Sequence, residues 1–308
     1  MVSLIIPCYN SEKTIRQSLE SVFAQNYPNL EIIAVNDGST DQTAHILKEF
    51  PTVHTYTFSK NKGVAAALNE GLKHAKGEFI QILDSDDLLL PEKIARQVAF
   101  LQQQQADIAY CDYCRFFEED QQIHILDYRR HQMFDPQIEL IHTHWLPPAA
   151  YLFRKSVAKN LFFHENLPIF NDVAFFWQLV QNRKVVYCPE ILVHYRISEN
   201  SLSRREGILR YFVDKYQCLQ LIEQKIVENN QLNGIFLETL LEGYRDCNRV
   251  FVEYDQALFE DCVQHIYELK PRYVPKKSLK MRLVSWLFGY KNAENMGNWY
   301  RKIRAYWA

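Results

Sequence analysis

The stretch Gly77-Glu78-Phe79-Ile80-Gln81-Ile82-Leu83-Asp84-Ser85-Asp86-Asp87 carries a short apolar strand straight into three carboxylates. Like charges gathered at one point repel, and the arrangement is most simply explained if something positive is held there. Working outward, Val2 to Pro7 reads as a first strand, followed by Ile15, Leu19 and Val22 on one helix face. Glu31 to Val35 reads as a second strand. The turn Asn36-Asp37-Gly38-Ser39-Thr40-Asp41 then offers a helix cap, with Ala44, Leu47 and Phe50 as the apolar face behind it. Val53 to Phe58 is a third strand, and Asn61-Lys62-Gly63 leads into a helix over Val64 to Lys73. Pro91 opens another helix reaching about Gln105, after which Ile108 to Arg115 returns as a strand. Repeated crossovers of this kind predict a mainly parallel sheet covered by helices, an α/β fold.

A chain of 308 residues, 47% of them hydrophobic, can bury a substantial core, which excludes disordered and fibrous classes. Lys and Arg number 35 against 37 Asp and Glu, so the net charge of -2 gives no signature of a nucleic-acid partner. The amino terminus runs directly into Ser3-Leu4-Ile5-Ile6, and no window approaches the ~18 apolar residues of a membrane span. The expected location is therefore cytoplasmic. Cys111 and Cys114 form a lone spaced pair in an apolar strand-like stretch, which favours reduced, buried thiols over zinc or redox chemistry.

Ligands of layered sheets gather at the carboxyl ends of strands, above all where the strand order reverses. Pro7-Cys8-Tyr9-Asn10, Asn36-Asp37-Gly38 and Asp84-Ser85-Asp86 all follow strands, and together they predict one pocket. Neither the glycine spacing of a dinucleotide fingerprint nor a GxxxxGK[ST] phosphate loop is present. Asp37 reads either as an acceptor for a base or sugar or as an Asx turn capping the next helix. Asp84 and Asp86 stand two apart, so an extended segment would direct both to one side, where hard oxygen ligands suit Mg²⁺ or Mn²⁺ bridging a diphosphate. An acidic surface turn is the alternative reading, and Asp87 suits a cap on the following helix.

Beyond residue 115 the pattern loosens, with short strands at Ile123 to Leu126 and Ala150 to Phe153. His131, His142 and His144 read as separate loop histidines, and Trp145-Leu146-Pro147-Pro148-Ala149-Ala150 as an acceptor cleft or as core. Asp172, in Phe170-Asn171-Asp172-Val173-Ala174-Phe175-Phe176-Trp177, stands where a helix begins and reads equally as its cap or as a general base. Val185 to Cys188 and Ile191 to Arg196 are strand-like, and the polar run from His194 to Ser203 reads as a lid or phosphate-proximal loop. Arg196 suits a phosphate contact or an ordinary ion pair, and His194 is a weak metal ligand candidate.

Taken in order, Val2 to Asn10, Val35 to Asp41, Asn61-Lys62-Gly63 with Ala67-Leu68-Asn69, Asp84 to Asp87, and Asn171-Asp172 strongly resemble the GT-A glycosyltransferases of family 2. The resemblance covers about residues 1–205 and is most specific through residue 115. It implies a Rossmann-like, mainly parallel mixed sheet flanked by helices, and inverting transfer of one sugar from a nucleoside-diphosphate donor, commonly UDP-linked. By that resemblance Pro7, Tyr9 and Asn10 lie along the nucleotide, Asp37 recognises the base, Asp84 contacts ribose or sugar, Asp86 holds the divalent ion, and Asp172 is the catalytic base. The family often has Glu-Asp where this chain has Asn171-Asp172, and often a histidine where it has Ser198. The Gln-x-x-Arg-Trp motif of processive synthases is not found. The competing readings are a non-catalytic sugar-nucleotide or polysaccharide-binding module and a nucleotidyltransferase.

From residue 206 to 308 the patterns turn helical, with long segments expected after Ile208, from Leu232 to Val250 and from Gln256 to Leu269. The last stretch carries Lys276, Lys277, Lys280, Arg282, Lys291, Arg301, Lys302 and Arg304 against Glu294 alone, beside Leu279, Leu283, Trp286 and Leu287 at helical spacing. That combination suggests a helical appendage that docks on the core or touches an anionic membrane, leaving the enzyme peripheral at its inner face. The expected acceptor is a glycan or lipid-linked hydroxyl.

Overall fold

The computed structural model describes residues 1–119, 122–130, 132–142, 146–198, 206–275 and 279–306. It consists of two compact units, Met1–Ser201 and Leu202–Ala308.

The first unit is built on one nine-stranded sheet. Its elements in chain order are β1 (Val2–Cys8), α1 (Ile15–Phe23), β2 (Leu30–Asn36), α2 (Thr43–Lys48), β3 (His54–Thr57), α3 (Val64–His74), β4 (Phe79–Ile82), β5 (Leu88–Leu89) and α4 (Lys93–Gln103). There follow β6 (Ile108–Glu119), β7 (Gln122–Arg129), α5 (Pro136–Ile141), β8 (Tyr151–Arg154), α6 (Asn171–Leu179) and β9 (Val185–Arg196). The strands lie in the order β3-β2-β1-β4-β8-β6-β9-β5, with β7 paired to β6. Pairs among β1 to β4 are parallel, as is β6 with β9, while β5, β7 and β8 run against their neighbours. This is the expected mixed, mainly parallel sheet flanked by helices.

Order reverses between β1 and β4, because the chain steps from β1 out to β3 and then returns to β1's other side. A crevice at such a switch point is where open α/β sheets receive ligands. Pro7 helps to open it. Leu83 N–H donates to the Ile5 carbonyl at 3.0 Å, and the next rung of this parallel ladder would need an N–H from Pro7. Proline has no N–H to give, so the chain after Leu83 leaves the sheet and turns.

The helices cover the sheet as their periodicity demands. α1 buries Ile15, Ser18, Leu19 and Val22. α3 lies so close to β1 that a Cβ at Gly71 would stand 2.3 Å from Ile5 Cγ2, so only glycine allows the approach. α4 packs on β6, β8 and β9 and carries Lys93 into the core, where its ammonium donates to Gln81 Oε1 and to the Tyr151 carbonyl. Burial pushes that ammonium down to about 7. Gln81 and Gln97 donate to the carbonyls of Ala149 and Ala150 at 3.0 and 2.8 Å. Leu146 to Ala150 are all buried, with a single 3₁₀ turn over Pro148–Ala150, so this stretch is core rather than cleft wall. His131, His144 and Trp145 lie outside the described residues, whereas His142 is half-buried at the end of α5. All seven cysteines are buried, and Cys111 and Cys114 sit three apart on one strand, hence on opposite faces.

The second unit is helical: α7 (Gly207–Glu228), α8 (Gly234–Tyr254), α9 (Gln256–Leu269), α10 (Leu279–Phe288) and α11 (Tyr290–Tyr306). α8 packs against α7, α9 and α11 around Leu240, Leu241, Tyr244 and Phe251. Asn233 caps α8 by accepting from Ile235 and Phe236 N–H at 2.9 and 3.2 Å. Among the described residues no helix is long and apolar enough to cross a membrane.

Candidate active site

The residues after β1, β2 and β4 are laced together by side chains. Asn10, held at φ 49°, accepts from Thr40 N–H at 2.8 Å through Oδ1, while its own N–H donates to Ser39 Oγ at 3.0 Å. Ser11 Oγ lies 2.7 Å from Ser85 Oγ, joining the β1 end to the acidic turn across the switch point. Tyr9 stands 42% exposed beside them, an aromatic face open at the carboxyl end of β1, whereas Pro7 is buried.

Asp37 is buried, and its carboxylate is engaged by the loop that follows β3. Oδ1 accepts from Lys62 N–H at 2.6 Å, and Oδ2 from Gly63 N–H at 2.8 Å and Asn61 Nδ2 at 3.0 Å. Burial pushes this carboxyl up, against the opposing pull of those N–H donors. Gly38 turns the chain at φ 68°, where a Cβ would meet the Lys60 backbone at 2.5 Å. Asp37 therefore ties β2 to the Asn61-Lys62-Gly63 loop, in place of the Asx cap on the next helix.

Asp84 to Asp87 form a tight turn, closed by Asp87 N–H donating to the Asp84 carbonyl at 3.1 Å. The carboxylates thus converge through a turn and not through the alternation of an extended segment. Asp84 is pushed up to about 7 by burial and by the charges of Asp86 and Asp172. Burial also raises Asp86, with Arg196 opposing, and holds Asp87 well above the usual carboxylate range, reinforced by Asp86 and Asp84. Asp87 does not cap a helix. β5 intervenes before α4, and Asp87 Oδ1 instead accepts from Arg196 N–H at 2.8 Å, while its buried Oδ2 has no hydrogen-bond partner among the described residues.

Arg196 ends β9 with a buried guanidinium. Nε donates to the Asp86 carbonyl, Nη1 to Glu118 and Nη2 to Gln17, each at 2.7 Å, and the group lies 4.5 Å over the Phe116 ring. Gln17 also donates to Glu118 at 3.0 Å, so hydrogen bonds from Arg196 and then Gln17 hold the Glu118 carboxyl below its ordinary value. The contacts seen are those of the ion-pair reading, with each guanidinium nitrogen facing a protein acceptor.

Asp172 lies in the first turn of α6, accepting from Val173 N–H at 2.7 Å; the helix's N-cap is Phe170, without a side-chain cap. It is not the cap. Its charge reaches Asp84, so the acid from the later half of the unit and the turn from the earlier half share one cluster. α6 is anchored by its aromatic run: Phe175 stacks on Phe163 at 4.0 Å and Phe176 on Tyr151 at 4.1 Å. Asn69 fixes the partner strand of chain, its Nδ2 donating to the Phe163 carbonyl at 2.9 Å and its Oδ1 accepting from Phe163 N–H at 2.7 Å.

Among the described residues no three His, Cys, Asp or Glu side chains are arranged to hold an ion by themselves. The turn nonetheless fits a hard divalent ion. Its carboxylates destabilise one another, and an unpartnered carboxylate oxygen is buried beside them. Mg²⁺ is commonly bound through one or two carboxylates with substrate phosphates completing its shell. His194, half-buried against Phe116 and pushed down by that burial, sits in β9 opposite Leu88. A cavity of about 1000 Å³ at the opposite, amino-terminal end of β4, lined by Gly77, Arg154 and Phe162, contains none of the clustered aspartates.

The model of glycosyl transferase family 2 matches residues 3–162, just over half of the 308. The chain belongs to that family. An uncharacterized glycosyltransferase of Rickettsia typhi is 29% identical over 262 residues, spanning 79% of this chain and 81% of its own length. Poly-beta-1,6-N-acetyl-D-glucosamine synthase of Staphylococcus epidermidis is 43% identical over 91 residues, 29% of this chain and 22% of that protein. S. aureus TarS 1-349 in complex with UDP-GlcNAc superposes with a TM-score of 0.71 at 20% identity, covering 96% of this chain and 88% of that one. Against the longer TarS structure the chain spans 53% of the length. The likeness to TarS is one of fold, and the family 2 chain is a glycosyltransferase with a mixed α/β sheet.

Three residues near the acidic turn of this family 2 enzyme escaped the reading of motifs. Gln17 and Glu118 complete the Arg196 network, and Tyr195, half-buried, is raised by burial and then by Asp87, Asp84, Asp86 and Asp172. Only Tyr195 left a signal, as the neighbour of Arg196 at a strand end.

Proposed function

We propose that the chain transfers a single sugar, with inversion, from a UDP-linked donor to a hydroxyl of a glycan or lipid-linked acceptor, using Mn²⁺ or Mg²⁺. The observation that carries this reading is that Asp84, placed at the reversal of strand order between β1 and β4, feels the charges of both Asp86 and Asp172. TarS, solved with UDP-GlcNAc, and a Pyrobaculum calidifontis mannosyltransferase solved with GDP-Man and Mn²⁺ at a TM-score of 0.55 support a nucleotide-sugar donor. The synthase likeness supports a role in polysaccharide or cell-envelope biosynthesis.

In this reading Pro7, Tyr9 and Asn10 border the nucleotide, with the exposed Tyr9 ring against the base, and Asp37 orders the loop that receives it. Asp84 accepts from ribose or sugar hydroxyls. Asp86 holds the divalent ion, which, when bound, offsets the charge of the departing diphosphate. Asp172 takes the proton of the acceptor hydroxyl as that oxygen forms its bond to the anomeric carbon and the opposite bond to the diphosphate breaks. One displacement inverts the centre. Arg196 acts through the turn, as a positioning residue, and residues 1–205 form the transferase domain with the helical unit appended. The enzyme would work in the cytoplasm, peripheral to the inner face of the cell membrane.

The test is turnover across a donor panel with Mn²⁺ or Mg²⁺, comparing wild type with Asp172→Asn. Nucleoside diphosphate release, an inverted product and a loss of about 10²–10⁴ in kcat with donor binding retained are expected. Pyrophosphate release from a nucleoside triphosphate, or full turnover by the variant, overturns the reading.

A further inference from the structure

The last two helices hold large apolar side chains out in water. α10 buries Ser285 and exposes Leu283 (54%), Trp286 (73%) and Leu287 (54%), spaced three and four apart on one face. α11 buries Tyr290 and Ala293 together with Asn298, whose Nδ2 donates to the Val252 carbonyl at 3.0 Å, and still exposes Met296 and Trp299. Polar groups are thus used inward while two tryptophans stand in solvent, and the two helices pack on each other, so the apolar residues belong to one helical pair. Scattered apolar side chains at a surface need no account, but a ridge of this kind does.

Charge decides what covers it. Residues 276–308 hold eight Lys and Arg against Glu294 alone, which is buried; Lys291 and Arg301 pair with Glu260 and Glu253 of the neighbouring helices, and the other six have no acidic residue of this segment to balance them. The exposed Arg282 flanks the Leu283-Trp286-Leu287 face. A second copy seated by two-fold symmetry would bring this basic segment against itself, whereas an anionic surface meets both its charge and its apolar ridge. Tryptophan, apolar in body with a polar N–H, suits the headgroup level of a bilayer.

We propose that the outer face of α10 and α11 is an interfacial anchor that lies in the plane of an anionic bilayer, with Leu283, Trp286, Leu287 and Trp299 inserted and Arg282 on the headgroups. This deepens the peripheral placement proposed above by naming the surface that makes it, and it does not depend on the transfer chemistry.

The experiment is co-flotation of the full chain with phosphatidylcholine vesicles, with and without phosphatidylglycerol, at low and high salt. Binding to the anionic vesicles, weakened by salt and absent on pure phosphatidylcholine, is expected. Trp286→Ser with Leu287→Ser should cut partitioning at least about tenfold, and Arg282→Glu at least about fivefold. Circular dichroism and turnover on a water-soluble acceptor should stay unchanged, which separates loss of docking from loss of catalysis. Should the double variant fail to fold, Trp299→Ser and Arg282→Glu read the same face singly. No binding to anionic vesicles, equal binding by folded variants, or a concentration-dependent dimer abolished by Trp286→Ser would each overturn the proposal.

Discussion

Replacing Asp84 with Asn tests the acidic turn without reference to any substrate. The carboxyl sits at about 7 in the folded chain, against an ordinary 3.8, because burial and the charges of Asp86 and Asp172 disfavour its ionised form. The folded state therefore binds this proton more tightly than the unfolded chain, and the stability it contributes is full below about pH 4 and lost as pH rises to about 7. At ~1.36 kcal/mol per pH unit the whole interval corresponds to about 4 kcal/mol, of which roughly 2.7 falls between pH 5 and 7. For a unit of this size, about 2–4 °C per kcal/mol turns that into a relative shift of about 5–11 °C. Asp84→Asn keeps the shape and removes the titration. It also relieves its neighbours of one like charge, which acts in the same direction.

Thermal or urea denaturation in EDTA at pH 5, 6, 7 and 8 reads the effect. The variant should gain on the wild type by about 2.7 kcal/mol between pH 5 and 7 and hold the gain above it. Adding Mn²⁺ with UDP at pH 8 should raise the wild-type midpoint and leave the variant nearly unmoved. Wild-type and variant curves that run parallel from pH 5 to 8 would refute the claim that the turn is destabilised by its own charge.

Asp37→Ala orphans the N–H groups of Lys62 and Gly63, and a loss of about 3 kcal/mol in urea denaturation is expected, with UDP affinity falling alongside. Arg196→Met leaves Glu118 without its cation, which should cost about 3 kcal/mol by the same assay, and Arg196→Lys should fail to restore donor affinity because one ammonium cannot span three separate acceptors. Asn69→Ala removes both bonds to Phe163, the ring on which α6 rests, so kcat should fall at least about tenfold while calorimetry finds UDP affinity within about twofold of wild type.

Apart from β5, the elements from β1 to the start of β6 were legible because each carries its own periodicity, and α9 coincides with the Gln256 to Leu269 expected for it. Asp87 was misread for a tertiary reason. A cap was assigned on the assumption that a helix comes next, but β5 is two residues long, too short for any period, and exists only because β9 pairs with it. Val185 to Cys188 and Ile191 to Arg196 likewise read as two strands where there is one, with Pro189 between them. β9 runs through Val185–Arg196 and absorbs the interruption as register shifts against β6 opposite Cys111 and Asp112. Arg196 could be recognised as important but not assigned, since its partners Gln17, Asp86 and Glu118 are brought together only by sheet order.

That same sheet order makes the acidic turn possible. Three carboxylates within four residues, Asp87 buried and Asp84 and Asp86 half-buried, disfavour the turn they occupy, and local opposition to the repulsion comes from the Asp84–Asp87 backbone bond and the Ser11–Ser85 contact. The remaining support arrives from the end of β9, where Arg196 gives its N–H to Asp87 and its guanidinium to the Asp86 carbonyl. β9 reaches that position only by pairing with β6 and β5, which in turn requires the chain through residue 196 to be in place. A fragment ending near Arg115 would carry every motif of the donor half and still lack the cation that holds its turn. The carboxylates are thus preorganised by the later half of the unit, the half that also delivers Asp172, and the repulsion left uncompensated is what an arriving cation would relieve.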